Sequence, residues 1–416
     1  MVERTGIAPS SEALFTLLRS HPVTTRTELV HLSGLSKATV SEAIASLMAA
    51  GVLKEVGKRQ PGRGRSQVVL AFQPRTRLVL GAHYTERACR VVLADLLASP
   101  VAQAERPLSS TDPEAFVEAV VACVQELLEQ ADAPVVGLGA GTPGLIDATR
   151  HEVTISVPQQ WFHVPLGAML EERLGMPVVL ANRAKAAALG EYWQGHPAPK
   201  GEAAGGRPSS LFYAYVGAGI VAGFVNDGEL HLGSGGAAGE LGHVTVLPDG
   251  PVCGCGNRGC LHTLASESAI VRQVKAMMRE ADAYAPADGD GQAPPSLARM
   301  DIAMVVERAR QGDPIVREVV REVTGWLGIA IAGVINLLNP SRVVIGGPVT
   351  GIGPPFIDAL REEIRRRALW DSLQGVSIEA STLGDDAGPI GAAALFLDLA
   401  SPGDLMAVTG AALRSS

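Results

Sequence analysis

A chain of 416 residues, 47% of them hydrophobic, can bury two or three cores, and without a run of about 18 apolar residues it offers no membrane-spanning helix. Its net charge of −8 is unevenly spread: residues 1–76 carry ten Lys/Arg against five Asp/Glu, and residues 77–416 carry 25 against 38. A basic head on an acidic body restricts any polyanion to the head. The N-terminus has an early acidic residue and no uninterrupted apolar core before a cleavage site, so a cytoplasmic protein with reduced thiols is expected.

In chain order, Ala13, Leu14, Leu17 and Leu18 fall at helical spacing between Ser11 and Arg19. Thr25-Arg-Thr-Glu28 reads as a capping box that opens a short helix ended by Ser33-Gly34. Ser36 caps a third helix, which runs to about Ala50 and stops at Gly51. Val40, Ile44, Leu47 and Met48 line one of its faces; Lys37, Thr39 and Ser41 lie off it near the start. Two apolar strands, 52–56 and 67–70, then flank a basic glycine-rich tip, GKRQPGRGR. This pattern predicts a winged helix-turn-helix over residues 1–76, with Ser36, Lys37, Thr39 and Ser41 at base edges in a major groove. Lys58, Arg59, Arg63 and Arg65 of the wing would hold phosphates or enter a minor groove. A three-helix bundle with a merely solvated polar face is the alternative, and it gives the cationic tip no role.

From about Leu78 the texture becomes α/β. Strand, glycine turn and helix alternate through PVVGLGAGTPGLID, MPVVLANRAKAAALGEYW, LFYAYVGAGIVAGFV and, after a long helix over 314–338, RVVIGGP. The expected architecture is two α/β lobes with a ligand at the strand ends. We place the first lobe at 77–190, completed by a C-terminal helix near 388–400, and the second at 191–387. Inside the second lobe, Cys253, Cys255 and Cys260 fall within eight residues, with His243 ten residues upstream. One imidazole and three thiolates form the closed shell that a structural Zn2+ prefers. Free or disulfide-paired cysteines are the alternative.

These motifs resemble the ROK family (repressors, open reading frames and sugar kinases) over nearly the whole chain. GTPGLID resembles its first signature loop, GSGGAAGELGHVTV with CGCGNRGCL its central signature, and NLLNPSRVVIGGP the segment near the adenosine in the kinases. His243, Cys253, Cys255 and Cys260 match the family's zinc ligands, and the N-terminal module looks like that of the repressor branch. The resemblance implies a winged helix followed by a two-lobed actin-like (ribonuclease H-like) domain.

It also exposes what has changed. The family's catalytic aspartate lies in an Asn-Asp-Ala-Asn run, which here is Asn182-Arg183-Ala184-Lys185. A guanidinium stays protonated and cannot accept the substrate proton. The first phosphate motif, Asp-x-Gly-Gly-Thr-Lys, becomes His83-Tyr84-Thr85-Glu86-Arg87-Ala88 and loses the magnesium-side aspartate and both glycines; the second, Gly-Thr-Gly, becomes Gly217-Ala218-Gly219. Kinase activity is therefore expected to be lost. Of the family's sugar contacts, Asn182, Glu240 and His243 remain, while His262 stands where a glutamate follows the last zinc cysteine. With Arg183 and His262 beside them, these residues would suit a sugar or a sugar phosphate; the alternative is a guanidinium paired internally with an acid such as Glu240. The expected protein is a non-enzymatic, sugar-modulated repressor that reads a palindromic operator as a homodimer or homotetramer. A ligand-independent regulator whose body only dimerises, and a residual sugar kinase, are the competing readings.

Overall fold

The computed structural model describes residues 8–60, 66–85, 88–147, 149–195, 208–284, 297 and 299–407. They form two compact units, 1–207 with 386–416, and 208–385.

The first unit begins with α1 (Pro9–Ser20), β1 (Val23–Thr25), α2 (Arg26–Ser33), α3 (Lys37–Ala49), β2 (Leu53–Arg59) and β3 (Gln67–Phe72). The caps set these bounds. Thr25 Oγ1 accepts from Glu28 N, Glu28 Oε2 accepts from Thr25 N at 2.8 Å, and Gly34 closes α2 in the left-handed region at φ 66°. Ser36 Oγ accepts from Thr39 N at the start of α3. Leu14, Phe15, Leu18, Leu29, Val40, Ile44 and Leu47 make the core beneath a three-stranded antiparallel sheet in the order β1-β3-β2. The hairpin is longer than the sequence pattern predicts. β2 runs through Gly57 to Arg59, because the register shifts between Glu55 and Gly57 and the bulge absorbs a residue that reads as the start of the tip.

β4 (Leu78–Tyr84), β5 (Ala88–Asp95), β6 (Pro100–Pro107), α4 (Pro113–Glu129) and β7 (Val135–Thr142) follow. A small sheet of β8 (Leu145–Asp147), β9 (Glu152–Ser156) and β10 (Trp161–Val164) leads into α5 (Leu166–Leu174), β11 (Val178–Asn182) and α6 (Arg183–Gln194). The main sheet has the order β11-β7-β4-β5-β6, parallel from β11 to β4 and antiparallel from β4 to β6.

The second unit holds β12 (Ser210–Val216), β13 (Ile220–Asn226), β14 (Glu229–Leu230), α7 (Leu261–Ala265), α8 (Glu267–Tyr284), α9 (Ile302–Arg310), α10 (Pro314–Leu338), β15 (Arg342–Gly346), α11 (Pro354–Arg365) and β16 (Ser377–Ala380). Its sheet, β14-β13-β12-β15-β16, has the same succession: an antiparallel meander of three, then two parallel strands beside the first. One topology used twice is the actin-like α/β fold.

The chain then returns to the first unit as α12 (Ala387–Leu399) and α13 (Pro402–Ala407). α12 is buried from Ala387 to Leu397 and packs backbone to backbone on α6. A Cβ on Gly391 would lie 1.6 Å from Ala186 O, so no larger residue fits there.

Candidate functional site

The parallel strands of the first unit end at Thr142 and Asn182, where the fold family of such sheets offers a ligand surface. Asn182 is buried and serves both neighbours of the strand end. Its Oδ1 accepts from Ala184 N (2.9 Å) and Lys185 N (3.4 Å), capping α6, and its Nδ2 donates to Gly144 O (2.9 Å) in the GTPGLID loop. Arg183 is the first residue of α6 and is half-buried. On β4, His83 pairs in register with Gly141 of β7. Desolvation, reinforced by the positive charges of Arg183 and Arg90, pulls its pKa down to about 3, so the imidazole is neutral at any physiological pH.

In the second unit, the turn after β14 leads to a short helical turn, Leu241–His243, and on to the cysteine loop. His243 Nδ1 lies 3.7 Å from Cys253 Sγ, Cys255 Sγ lies 3.7 Å from Cys260 Sγ, and all four candidate ligand atoms lie within 4.8 Å of one another. A tetrahedron with metal–sulfur bonds of about 2.3 Å has sulfur–sulfur edges of about 3.8 Å, so the donor set fits zinc in both chemistry and spacing. The loop closes on its own backbone: Cys253 N donates to Asn257 O, and Gly259 N to Pro251 O. Gly259 (φ 63°) approaches so closely that a Cβ would sit 1.5 Å from Leu247 O. The hydrogen bond from the Asn257 backbone, with neighbouring sulfurs behind it, brings the Cys255 thiol down to about 7. Burial, then the other thiols, pushes Cys260 up to about 12.

With Nδ1 facing the sulfurs, the outer nitrogen of His243 is directed away from the loop. The ring of His262, in α7, lies beside it with centroids 6.3 Å apart and planes 28° from parallel. Glu240 is half-buried, and its carboxylate has no partner among the described residues. Glu240, His243 and His262 thus share one end of the second unit. A depression of about 500 Å³ beside the Gly217–Gly219 turn is lined by Ala218, Glu267, Arg272, Lys275, Arg279 and Asp301. The sequence pattern does not single it out, since its cations come from one face of α8.

On the front module, Lys37, Ser41 and Lys58 are exposed. Ser36 Oγ and Thr39 Oγ1 lie 2.8 Å apart and complete the cap of α3. The guanidinium of Arg59 rests on Glu28 rather than standing free. Both groups are exposed, so this pairing contributes little and a phosphate can compete for the arginine. Arg63 and Arg65 lie outside the described residues. Among the described residues, no helix is long and apolar enough to cross a membrane.

Residues 80–399 match the family described as "ROK family". The chain is 29% identical over 381 residues to the xylose repressor of Caldicellulosiruptor bescii, covering 90% of this chain and 92% of the repressor. A ROK family transcriptional regulator, homologous to the E. coli MLC protein, superposes with a TM-score of 0.76 at 24% identity over 95% of this chain and 96% of its own. A ROK family glucokinase from Streptomyces griseus, solved with glucose and AMPPNP, gives a TM-score of 0.64 at 31% identity; the match spans 98% of the glucokinase but 76% of this chain.

Proposed function

Since the chain belongs to the ROK family, we propose that it is a DNA-binding transcriptional repressor whose hold on its operator is set by a sugar or sugar phosphate. One observation carries the reading: a helix–turn–helix front module with a hairpin beside it is joined to a family body in which Arg183 opens the helix where the resemblance puts the catalytic base. The C. bescii repressor matches this chain over more residues than the ROK region alone contains, whereas the glucokinase match leaves about a quarter of this chain uncovered.

In this reading, residues 1–76 are a winged helix-turn-helix. α3 enters the major groove with Lys37 and Ser41 leading, while Ser36 and Thr39 fix its first turn. Lys58, Arg59, Arg63 and Arg65 neutralise phosphates and set the register. Two copies would place two such helices on a palindromic operator. On the second unit Glu240, whose carboxylate accepts from hydroxyls, His243 and His262 are the candidate effector contacts; on the first, Asn182 and Arg183 are the residues that the family resemblance assigns to the effector. His243, Cys253, Cys255 and Cys260 would hold a structural Zn2+. A metal held at Nδ1 would fix the His243 tautomer and leave its other ring nitrogen free to donate to a sugar hydroxyl. No phosphoryl transfer is expected, because Arg183 cannot act as base and neutral His83 replaces a metal-binding carboxylate.

The test is selection of duplexes from a random pool, then titration of the selected operator complex with D-xylose, D-glucose and their phosphates. A palindromic winner whose affinity shifts with one of these sugars is expected, together with no ATP turnover in a coupled assay on D-glucose. Phosphorylation of the sugar, or failure to select any duplex, would sink the proposal.

A further inference from the structure

The front module is attached to the first unit through a buried cation. Arg19, in the last turn of α1, is 6% exposed. Its Nε donates to Leu96 O at 3.2 Å, and its Nη1 donates to Leu397 O at 3.2 Å and to Asp398 Oδ1 at 3.1 Å. The guanidinium carbon stands 4.2 Å from the centroid of the Trp193 ring. Burial lowers the arginine's pKa and the Asp398 carboxylate opposes that shift; a guanidinium remains charged regardless.

Each of these partners of Arg19 lies at or near the end of an element. Leu96 belongs to the β5–β6 turn. Leu397 and Asp398 close α12, where carbonyls lack intrahelical donors and the helix dipole favours a cation. Trp193 lies in the last turn of α6, and the next residue grips the same β5–β6 turn: Gln194 Nε2 donates to Leu97 O (2.7 Å) and Ser99 Oγ (3.1 Å). At Gly391 the backbones of α6 and α12 meet directly, since a Cβ there would lie 1.6 Å from Ala186 O. The opposite end of α6 is Asn182–Arg183. On the head side, α1 packs against α3, and Phe15 meets Phe72 of β3 edge-on at 5.5 Å. A shift of Arg19 therefore carries the recognition helix and the hairpin with it.

We infer that Arg19 is a positioning residue that couples the strand end at Asn182 to the DNA-reading head, with α6 as the rod between them. α6 is about 18 Å long, and it delivers a displacement at its first turn to the Trp193 face under the guanidinium. The element with two arrangements is the Arg19 contact set: engaged, it fixes the head; released, it frees the head to leave the operator spacing. This inference rests on the reading of the chain as a sugar-modulated repressor.

The experiment compares wild type with Arg19→Met, Arg19→Lys and Trp193→Phe in the full chain. It reads D-xylose and D-glucose binding by calorimetry, affinity for the selected duplex with and without sugar, and hydrogen exchange across Pro9–Ser20. Arg19→Met is expected to keep wild-type sugar affinity, to lose an effector response of about tenfold, and to raise exchange in α1 by roughly an order of magnitude. Trp193→Phe, which keeps an aromatic face, retains most of the response; Arg19→Lys, which keeps charge on Asp398 but loses the planar fork, falls between. A full response in Arg19→Met, or unchanged α1 exchange, overturns the inference. If neither sugar alters the wild-type protein's duplex affinity, the sugar-modulated reading fails, and α1 exchange alone then decides whether Arg19 holds the head. Should Arg19→Met not fold, the Lys and Phe variants carry the same comparison.

Discussion

The cysteine loop and the Asn182 strand end belong to one family body, yet they differ in what holds their residues in place. In the loop one imidazole and three thiols bring four candidate ligand atoms within 4.8 Å of one another. At the strand end the residues serve the framework: Asn182 caps α6 and holds Gly144, while Arg183 stands where the proposed reading loses the catalytic base. The difference follows from how each site works. A four-ligand shell is cooperative, and loss of any ligand releases the metal and the loop folded around it. A catalytic base serves only the reaction, so its replacement leaves the strand, the cap and the helix undisturbed. Chemistry can leave such a site while structural duties keep its other residues in place.

The largest expected effect breaks the first half of this comparison. Cys260→Ser removes a fully buried ligand from a site whose metal affinity is worth on the order of 10 kcal/mol. Mass spectrometry should find stoichiometric zinc in wild type and next to none in the variant. Proteolysis should then cut the 244–260 segment, and the response to sugar should vanish with it. Retention of zinc by Cys260→Ser would show that the four groups do not act as one shell.

A smaller effect sharpens the second half. His83 has its pKa lowered from 6.5 to about 3, mainly by burial, so the folded protein keeps it neutral. The unfolded chain takes up a proton below pH 6.5 and the folded chain does not, so acidification favours unfolding. Between pH 6.5 and 3 this residue should cost about 1.4 kcal/mol of stability per pH unit, and below about pH 3 the dependence should level off. Urea unfolding of His83→Gln should show a correspondingly flatter pH profile. An unchanged slope would mean that solvent reaches the imidazole and that the strand end is more open than its packing suggests.

Local chemistry explains which parts of this molecule can be read from its sequence. The Thr25–Glu28 box, the Ser36 cap and the long helix Pro314–Leu338, opened by Asp313 and closed by left-handed Asn339, all carry their own start and stop signals. The candidate metal-binding group is legible because its cysteines cluster in sequence as they do in space. β1 is not legible: three residues make a strand only because β3 arrives beside them some 45 residues later. Nor is the Glu28–Arg59 pair, which joins α2 to a hairpin that the bulge at Gly57 lengthens. Arg19 is the clearest case. A single arginine at the end of an amphipathic helix reads as solvated, and its burial depends on α6 and α12, which lie far along the chain.

The smallest expected effect is the most discriminating. Arg183→Asp restores a carboxylate at the first position of α6, where Asn182 already holds the helix start and an acid is welcome at the N-terminal end of the dipole. The variant should fold at least as well as wild type. It should still not phosphorylate D-glucose, because a base is one part among several. By the family resemblance, His83 is a neutral imidazole where the family's phosphate motif has an aspartate, and Ala218 offers no hydroxyl in the Gly217–Gly219 turn. A coupled ATP assay at saturating sugar settles the point. Turnover in this single variant would mean that the phosphate-binding surfaces are still competent and that the loss of chemistry rests on Arg183 alone.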